Sequence, residues 1–130
     1  MKLLLDTHIF LWYITASPSL SVDIRELISD PDHQVYLSPV SLWEILVKHR
    51  LGKLPLPEQP EVYLSRQRAR HGIESLALDE SSVQRLASLP NYHRDPFDHL
   101  LICQALEHDL SLVTVDKAIL QYPVRLISAY

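Results

Sequence analysis

The sequence predicts an α/β fold built on a mainly parallel central sheet of about five strands. Short apolar runs repeatedly end in a polar or turn residue and pass straight into helical patterns, the rhythm of strand-helix units. The runs are rich in Leu, Val and Ile and nearly unbroken, as strands covered on both faces read. Two glycines against nine prolines argue against a barrel of tight turns and against a glycine-rich phosphate loop, which removes the P-loop and dinucleotide-binding classes.

Taken in order, the first strand is expected over residues 2–5, with Asp6 at its end able to cap a helix that starts near Thr7. Ser21 caps a helix reaching about residue 29, and the second strand follows over 34–37. Ser38-Pro39 supplies an N-cap and a first-turn proline for a helix to Leu51, with Gly52 as its stop. The proline cluster from Leu54 to Pro60 reads as a loop, and the next helix, Pro60 to His71, is closed by Gly72. A third strand is expected over 74–78, and Asp79 caps a helix over 80–89. Asp95-Pro96 opens a helix over 97–108, whose Leu101, Ile102, Ala105 and Leu106 recur at helical spacing. The fourth strand spans 111–115, a short helix follows Asp116, and the last strand spans 124–127.

The 130 residues fit one domain, 1–130, with no internal repeat, low-complexity tract or linker. Cys103 is the only cysteine and lies in an apolar run, so no disulfide or cysteine zinc site forms within one chain. Asp6 and His8 interrupt the apolar start, no clean cleavage site follows, and no segment is apolar enough to span a membrane. The expected place is therefore the cytoplasm. A formal charge of −4 is the wrong sign for gripping a polyanion by bulk electrostatics. Any nucleic-acid role must come from a local patch or a bound metal.

Placed on this outline, four acids are informative. Asp6 and Asp116 end the first and fourth strands, where side chains reach the crevice at the carboxyl edge of a parallel sheet. Asp98 lies in the first turn of its helix and Glu44 in the second turn of the helix after strand two, and both helices start at that edge. Four converging carboxylates raise one another's pKa unless a cation compensates. Oxygen donors of this kind suit Mg²⁺ or Mn²⁺, which would activate a water and offset charge in an in-line phosphodiester displacement.

Each acid also has a plainer role. Asp6, Asp95 and Asp116 can be helix caps, and Asp98 gains from the helix dipole. Glu44 is harder to dismiss, because Val40, Leu42, Trp43, Ile45, Leu46 and Val47 surround it and a carboxylate among them needs a partner. None of the seven histidines has metal-ligand spacing; His8 and His99, close to candidate acids, are read as surface or supporting residues. Lys48, Arg50 and Lys53 with Arg66, Arg68 and Arg70 form a basic face that binds an RNA backbone or is simply solvated. The stretch Ile9-Phe10-Leu11-Trp12-Tyr13-Ile14 is apolar all round, so part of it is expected at a dimer or protein-partner interface, with core burial as the alternative.

Four segments together resemble the PIN-domain family, most closely its VapC-type toxins. They are Leu3-Leu4-Leu5-Asp6-Thr7-His8, Ser41-Leu42-Trp43-Glu44-Ile45, the run from His93-Arg94-Asp95-Pro96-Phe97-Asp98 through Ala105, and Leu112-Val113-Thr114-Val115-Asp116. The resemblance covers essentially the whole chain. It implies a three-layer α/β/α sandwich and a Mg²⁺- or Mn²⁺-dependent ribonuclease cutting single-stranded RNA. It also implies a homodimer inhibited by a cognate antitoxin. By motif, Asp6, Glu44, Asp98 and Asp116 look like the metal-binding and catalytic acids, with one or two ions. Asp95 is an auxiliary acid, Thr114 matches the family's Thr-or-Ser position, and Thr7 acts near Asp6. No lysine or arginine is expected to be fixed beside all four acids, leaving charge stabilisation to the metal with help from Arg94; Lys48 and Arg50 are candidate RNA contacts.

The expected reaction is hydrolysis without a covalent intermediate. An aspartate-nucleophile phosphatase is a rival, but His8 stands where its second aspartate would be. A non-catalytic RNA- or protein-binding module on the same fold is the rival from another class.

Overall fold

The computed structural model describes residues 1–129. Its sheet contains β1 (Lys2–Leu5), β2 (Gln34–Leu37), β3 (Glu74–Ser75), β4 (Ser111–Thr114) and β5 (Leu126–Ser128). The order is β3-β2-β1-β4-β5 and every pairing is parallel. β1 is therefore central: the chain winds outward to β2 and β3, then returns to lay β4 on the other side. That reversal leaves a crevice at the carboxyl ends of β1 and β4.

The helices are α1 (Thr7–Ile14), α2 (Val22–Ser29), α3 (Pro39–Arg50), α4 (Pro60–Arg70), α5 (Glu80–Gln84) and α6 (Pro96–His108), with 3₁₀ turns at Arg85–Ala87 and Lys117–Gln121. Strand alternation divides them into two layers. Leu3, Leu5, Val35, Leu37 and Val113 bury one face of the sheet with Ile9 and Phe10 of α1, Ile24 and Ile28 of α2, and Leu64 of α4. Leu4 and Leu112 bury the other with Leu101, Ile102 and Ala105 of α6. The result is an α/β/α sandwich whose central strands β1 and β4 are covered on both sides, which is why they read as unbroken apolar runs.

The expected punctuation matches the caps. Ser21 and Ser38 accept from the amides of Ile24 and Val40. Gly52 and Gly72 adopt φ of +74° and +68° just past α3 and α4, the left-handed conformation glycine reaches most easily. Three elements start late or end early by two residues or more. β3 ends at Ser75 because the carbonyls of Leu76 and Ala77 turn to the Gln104 side chain, at 3.1 and 3.3 Å, instead of to a strand. β5 begins at Leu126 because Pro123 has no amide to donate and the Val124 amide is spent on the Tyr122 carbonyl at 2.8 Å. α5 tightens into a 3₁₀ turn at Arg85, since only Ser82 of this segment is buried and little packing sustains a longer helix.

The apolar stretch of α1 divides in two. Ile9, Phe10 and Leu11 are core, whereas Trp12, Tyr13 and Ile14 are half-buried and pack against it, so core burial accounts for the first half. Among the exposed apolar side chains, Trp43, Leu46, Val47 and Leu51 share α3 and its end. With Pro60 of α4 they line a cavity of about 730 Å³. Among the described residues no helix is long and apolar enough to cross a membrane.

A candidate metal centre at the carboxyl edge of the sheet

Asp6 is the first residue past β1, and its amide still bonds the Val113 carbonyl at 2.9 Å, so the sheet itself fixes its position. Its carboxylate is held at both oxygens. Oδ1 accepts from the Thr7 amide at 2.7 Å and Oδ2 from the Thr114 hydroxyl at 2.6 Å. Thr114 ends β4, and the same hydroxyl oxygen accepts the Asp116 amide at 3.0 Å. One threonine thus ties together the two acids that close neighbouring strands. Asp116 in turn caps the 3₁₀ turn after it through the Ala118 amide at 2.9 Å.

Glu44 reaches the same place from α3. Its Oε1 accepts from the Thr7 hydroxyl at 2.7 Å, with Ser41 Oγ 3.0 Å from that hydroxyl, and its Oε2 pairs with Lys48 Nζ at 2.5 Å. The apolar neighbours seen in the sequence do not enclose it: Trp43 is 52% exposed, while Glu44 is only 4% exposed and is paired. One basic residue is thus fixed at one of the four acids. Lys48 stands one helical turn after Glu44, the spacing that lets the two side chains meet. Burial works against its charge, but the hydrogen bond and charge of Glu44, with Asp95 and Asp98 beyond, raise the Lys48 pKa overall.

α6 brings the remaining acids. Asp95 caps it, accepting from the Phe97 and Asp98 amides at 3.0 and 3.2 Å. Asp98, in the first turn, is buried. Its Oδ2 lies 3.0 Å from His93 Nε2, and Asp98, Asp116 and His93 each offer a ligand atom within 4.8 Å of the others.

The electrostatics follow from this crowding. Burial, then the charges of Asp6 and Asp95, then a hydrogen bond shared with Asp116 and the charge of Asp116 push the Asp98 carboxyl up to about 9. Burial likewise raises Asp6, opposed by the Thr114 hydroxyl and Thr7 amide and reinforced by the Glu44 charge, while His8 opposes it. With no cation near, such a cluster keeps a proton at neutral pH. Its donors are carboxylate oxygens with at most one imidazole, a set that fits a hard divalent ion.

Asp6, Glu44, Asp98 and Asp116 come together with Asp95, Thr114, Thr7 and Lys48. Arg94 is exposed beside Asp95, and Arg50 lines the cavity on α3 instead. His93 and Tyr122 were missed. His93 is not at a metal-ligand spacing, and its place emerges only when the loop before α6 folds back over Asp98. His8 stacks obliquely on Trp12, and His99 bonds the His93 carbonyl at 2.7 Å, a supporting place of the kind expected for it.

The PIN domain family model matches residues 3–124 of this chain. Ribonuclease VapC16 of Mycobacterium tuberculosis is 32% identical over 88 residues, an alignment that spans 63% of this chain and 62% of that protein. Among solved structures, VapBC2 from Rickettsia felis, bound to a promoter DNA fragment, superimposes with a TM-score of 0.74 at 19% identity, covering 98% of each chain. VapBC-1 from nontypeable Haemophilus influenzae gives 0.67 at 19% identity, again over 98% of each chain. The matched span carries all four acids and the strands and helices that position them; the chain belongs to the PIN domain family.

Proposed function

We propose that this chain is one nuclease domain, a Mg²⁺- or Mn²⁺-dependent endoribonuclease that hydrolyses single-stranded RNA and serves as the toxin of a toxin–antitoxin pair in the cytoplasm. The observation that carries this reading is the convergence of Asp6, Glu44, Asp98 and Asp116 from four separate elements, with burial and mutual charge raising Asp6 and pushing Asp98 up to about 9. Structural carboxylates gain nothing from such crowding, whereas ligands for a cation do.

Asp6, Asp98 and Asp116 would hold the cation, with Glu44 at the margin and Asp95 as support. When bound, the divalent ion supplies a centre that makes water nucleophilic at neutral pH and offsets charge on the phosphate. The chain's own residues set the geometry. Thr114 and Thr7 fix the oxygens of Asp6, and Thr7 fixes Glu44. Lys48, at the edge of the cluster, supplies a fixed positive charge for a phosphate. Arg94 and Arg50 are exposed and available to RNA outside the cluster.

Two further lines support the toxin reading. Solved structures of this fold are described as a toxin–antitoxin complex from Klebsiella pneumoniae and a member of the VapBC family of toxin–antitoxin systems from Mycobacterium tuberculosis. The open apolar residues Trp43, Leu46, Val47 and Leu51 offer a protein partner a contact surface, for the antitoxin or for the second copy of a homodimer.

The test is cleavage of a mixed single-stranded RNA pool with Mg²⁺, with Mn²⁺ and with chelator, beside the variant Asp6→Asn/Asp98→Asn. Cleavage that needs metal and is lost in the variant supports the reading. One observation favours a second reading: Asp6, Asp95 and Asp116 all cap helix starts. If folded, metal-loaded protein cuts none of many RNAs, the chain is a binding module whose acids are caps.

A further inference from the structure

The loop before α6 is anchored by one buried phenol. Tyr122 is 4% exposed, and its hydroxyl oxygen accepts the backbone amides of Tyr92 at 3.1 Å and His93 at 3.2 Å. Those two bonds use both lone pairs, leaving one hydrogen to give. Two imidazole nitrogens are in reach, His93 Nδ1 at 2.8 Å and His99 Nε2 at 3.2 Å. His99 Nε2 also sits 2.7 Å from the His93 carbonyl, which can only accept, so this nitrogen carries a hydrogen and cannot take another. The Tyr122 hydrogen therefore goes to His93 Nδ1. In neutral His93 the other nitrogen, Nε2, must then bear the ring hydrogen, and it points at Asp98 Oδ2, 3.0 Å away.

We propose that His93, held in this tautomer by Tyr122, is a positioning residue that fixes the Asp98 carboxylate for a divalent cation. Both ring nitrogens are engaged, so His93 has no lone pair directed at the cluster and acts through Asp98. Edge-to-face packing holds the ring as well, with His93 centroids 5.3 Å from Tyr122 and 4.9 Å from His99. Tyr122 closes the turn that begins at Asp116. The chain Tyr122, His93, Asp98 thus fixes the start of α6 relative to the segment after β4, which carries another of the acids. A hydrogen-bonded supporting residue of this sort contributes about 10- to 100-fold to metal affinity.

This inference rests on reading the acids as a cation site. The experiment is calorimetric titration of Mn²⁺ into wild type, His93→Ala, His93→Gln, Tyr122→Phe and Asp6→Asn/Asp98→Asn, each checked for fold by circular dichroism. Pulsed paramagnetic resonance of bound Mn²⁺ would detect a directly bonded nitrogen. We expect His93→Ala to bind Mn²⁺ about 10- to 100-fold more weakly. His93→Gln, which keeps a side-chain N–H, should recover most of the loss, and wild type should show no directly bonded nitrogen. Tyr122→Phe should lie between wild type and His93→Ala; if it does not fold, the two His93 variants decide. Unchanged affinity in His93→Ala overturns the proposal. A bonded-nitrogen signal that vanishes in His93→Ala overturns it too, making His93 a ligand. If wild type binds no better than Asp6→Asn/Asp98→Asn, the cation reading itself fails, and the proposal with it.

Discussion

Thr114 Oγ1 donates to Asp6 Oδ2 across 2.6 Å, joining residues that are 108 positions apart, and accepts the Asp116 amide with the same oxygen. Both neighbours are acids that would repel each other if nothing intervened. Thr114→Val removes the hydroxyl at nearly constant volume and leaves a buried carboxylate oxygen and an amide without this partner. We expect a loss of about 1–3 kcal/mol, read by urea unfolding, and recovery in Thr114→Ser. An unchanged midpoint for the valine variant would show the hydroxyl to be dispensable.

The crowding of acids predicts an unusual dependence on pH. Asp98, ordinarily near 3.8, holds its proton to about 9 in the folded chain, and Asp6 shifts in the same direction. Across that interval the folded state binds more protons than the unfolded one, so stability is full below about pH 4 for these groups and falls as pH rises towards 9. Metal-free protein should thus lose thermal stability over this range, and Asp98→Asn should flatten the fall. Because a cation displaces the proton, the rise in Tm produced by Mg²⁺ should be larger at pH 8.5 than at pH 5. Equal rises at both pH values would contradict the shared-proton picture.

Lys48 and Glu44 give a third prediction. The Glu44 side chain is 5% exposed and that of Lys48 is 39% exposed, so solvent screens one end of the pair. Lys48→Met should cost about 1 kcal/mol in metal-free protein, well below the loss for a fully buried pair. If Lys48 also serves a phosphate, RNA cleavage by Lys48→Met should fall by more than about tenfold while Mn²⁺ affinity holds. A proportional loss of both would mean that Lys48 matters only through Glu44.

On the core side, Leu101 of α6 is fully buried against Leu4 and Leu112. Leu101→Ala should destabilise by about 2–5 kcal/mol, which calorimetric melting would measure, and its residual folded fraction should keep normal metal affinity.

The α/β class and the boundaries of α3, α4 and α6 were readable because they rest on local chemistry: Ser38 before Pro39, Asp95 before Pro96, and Gly52 and Gly72 where positive φ was needed. The ends of β3 and β5 were not, since they depend on the distant Gln104 side chain and on how Pro123 turns. At the site, Asp6 and Asp116 could be placed from strand ends alone. The Lys48 pairing was present as an i, i+4 spacing but was outweighed by the apolar neighbours of Glu44, of which Trp43, Leu46 and Val47 prove to be exposed. His93 and Tyr122, 29 positions apart, had no local signal because their relation is purely tertiary.

The central place of β1 has a consequence in time. Its partner β4 and the threonine that holds Asp6 are made 108 residues later. At about 5–20 residues per second, roughly 5–20 s of synthesis separate the first acid from the last elements that fix it. During that interval the growing chain can hold neither the middle of its sheet nor a complete set of acids. The cluster is therefore complete only once Asp116 has been made, and no product cut short before that residue carries it.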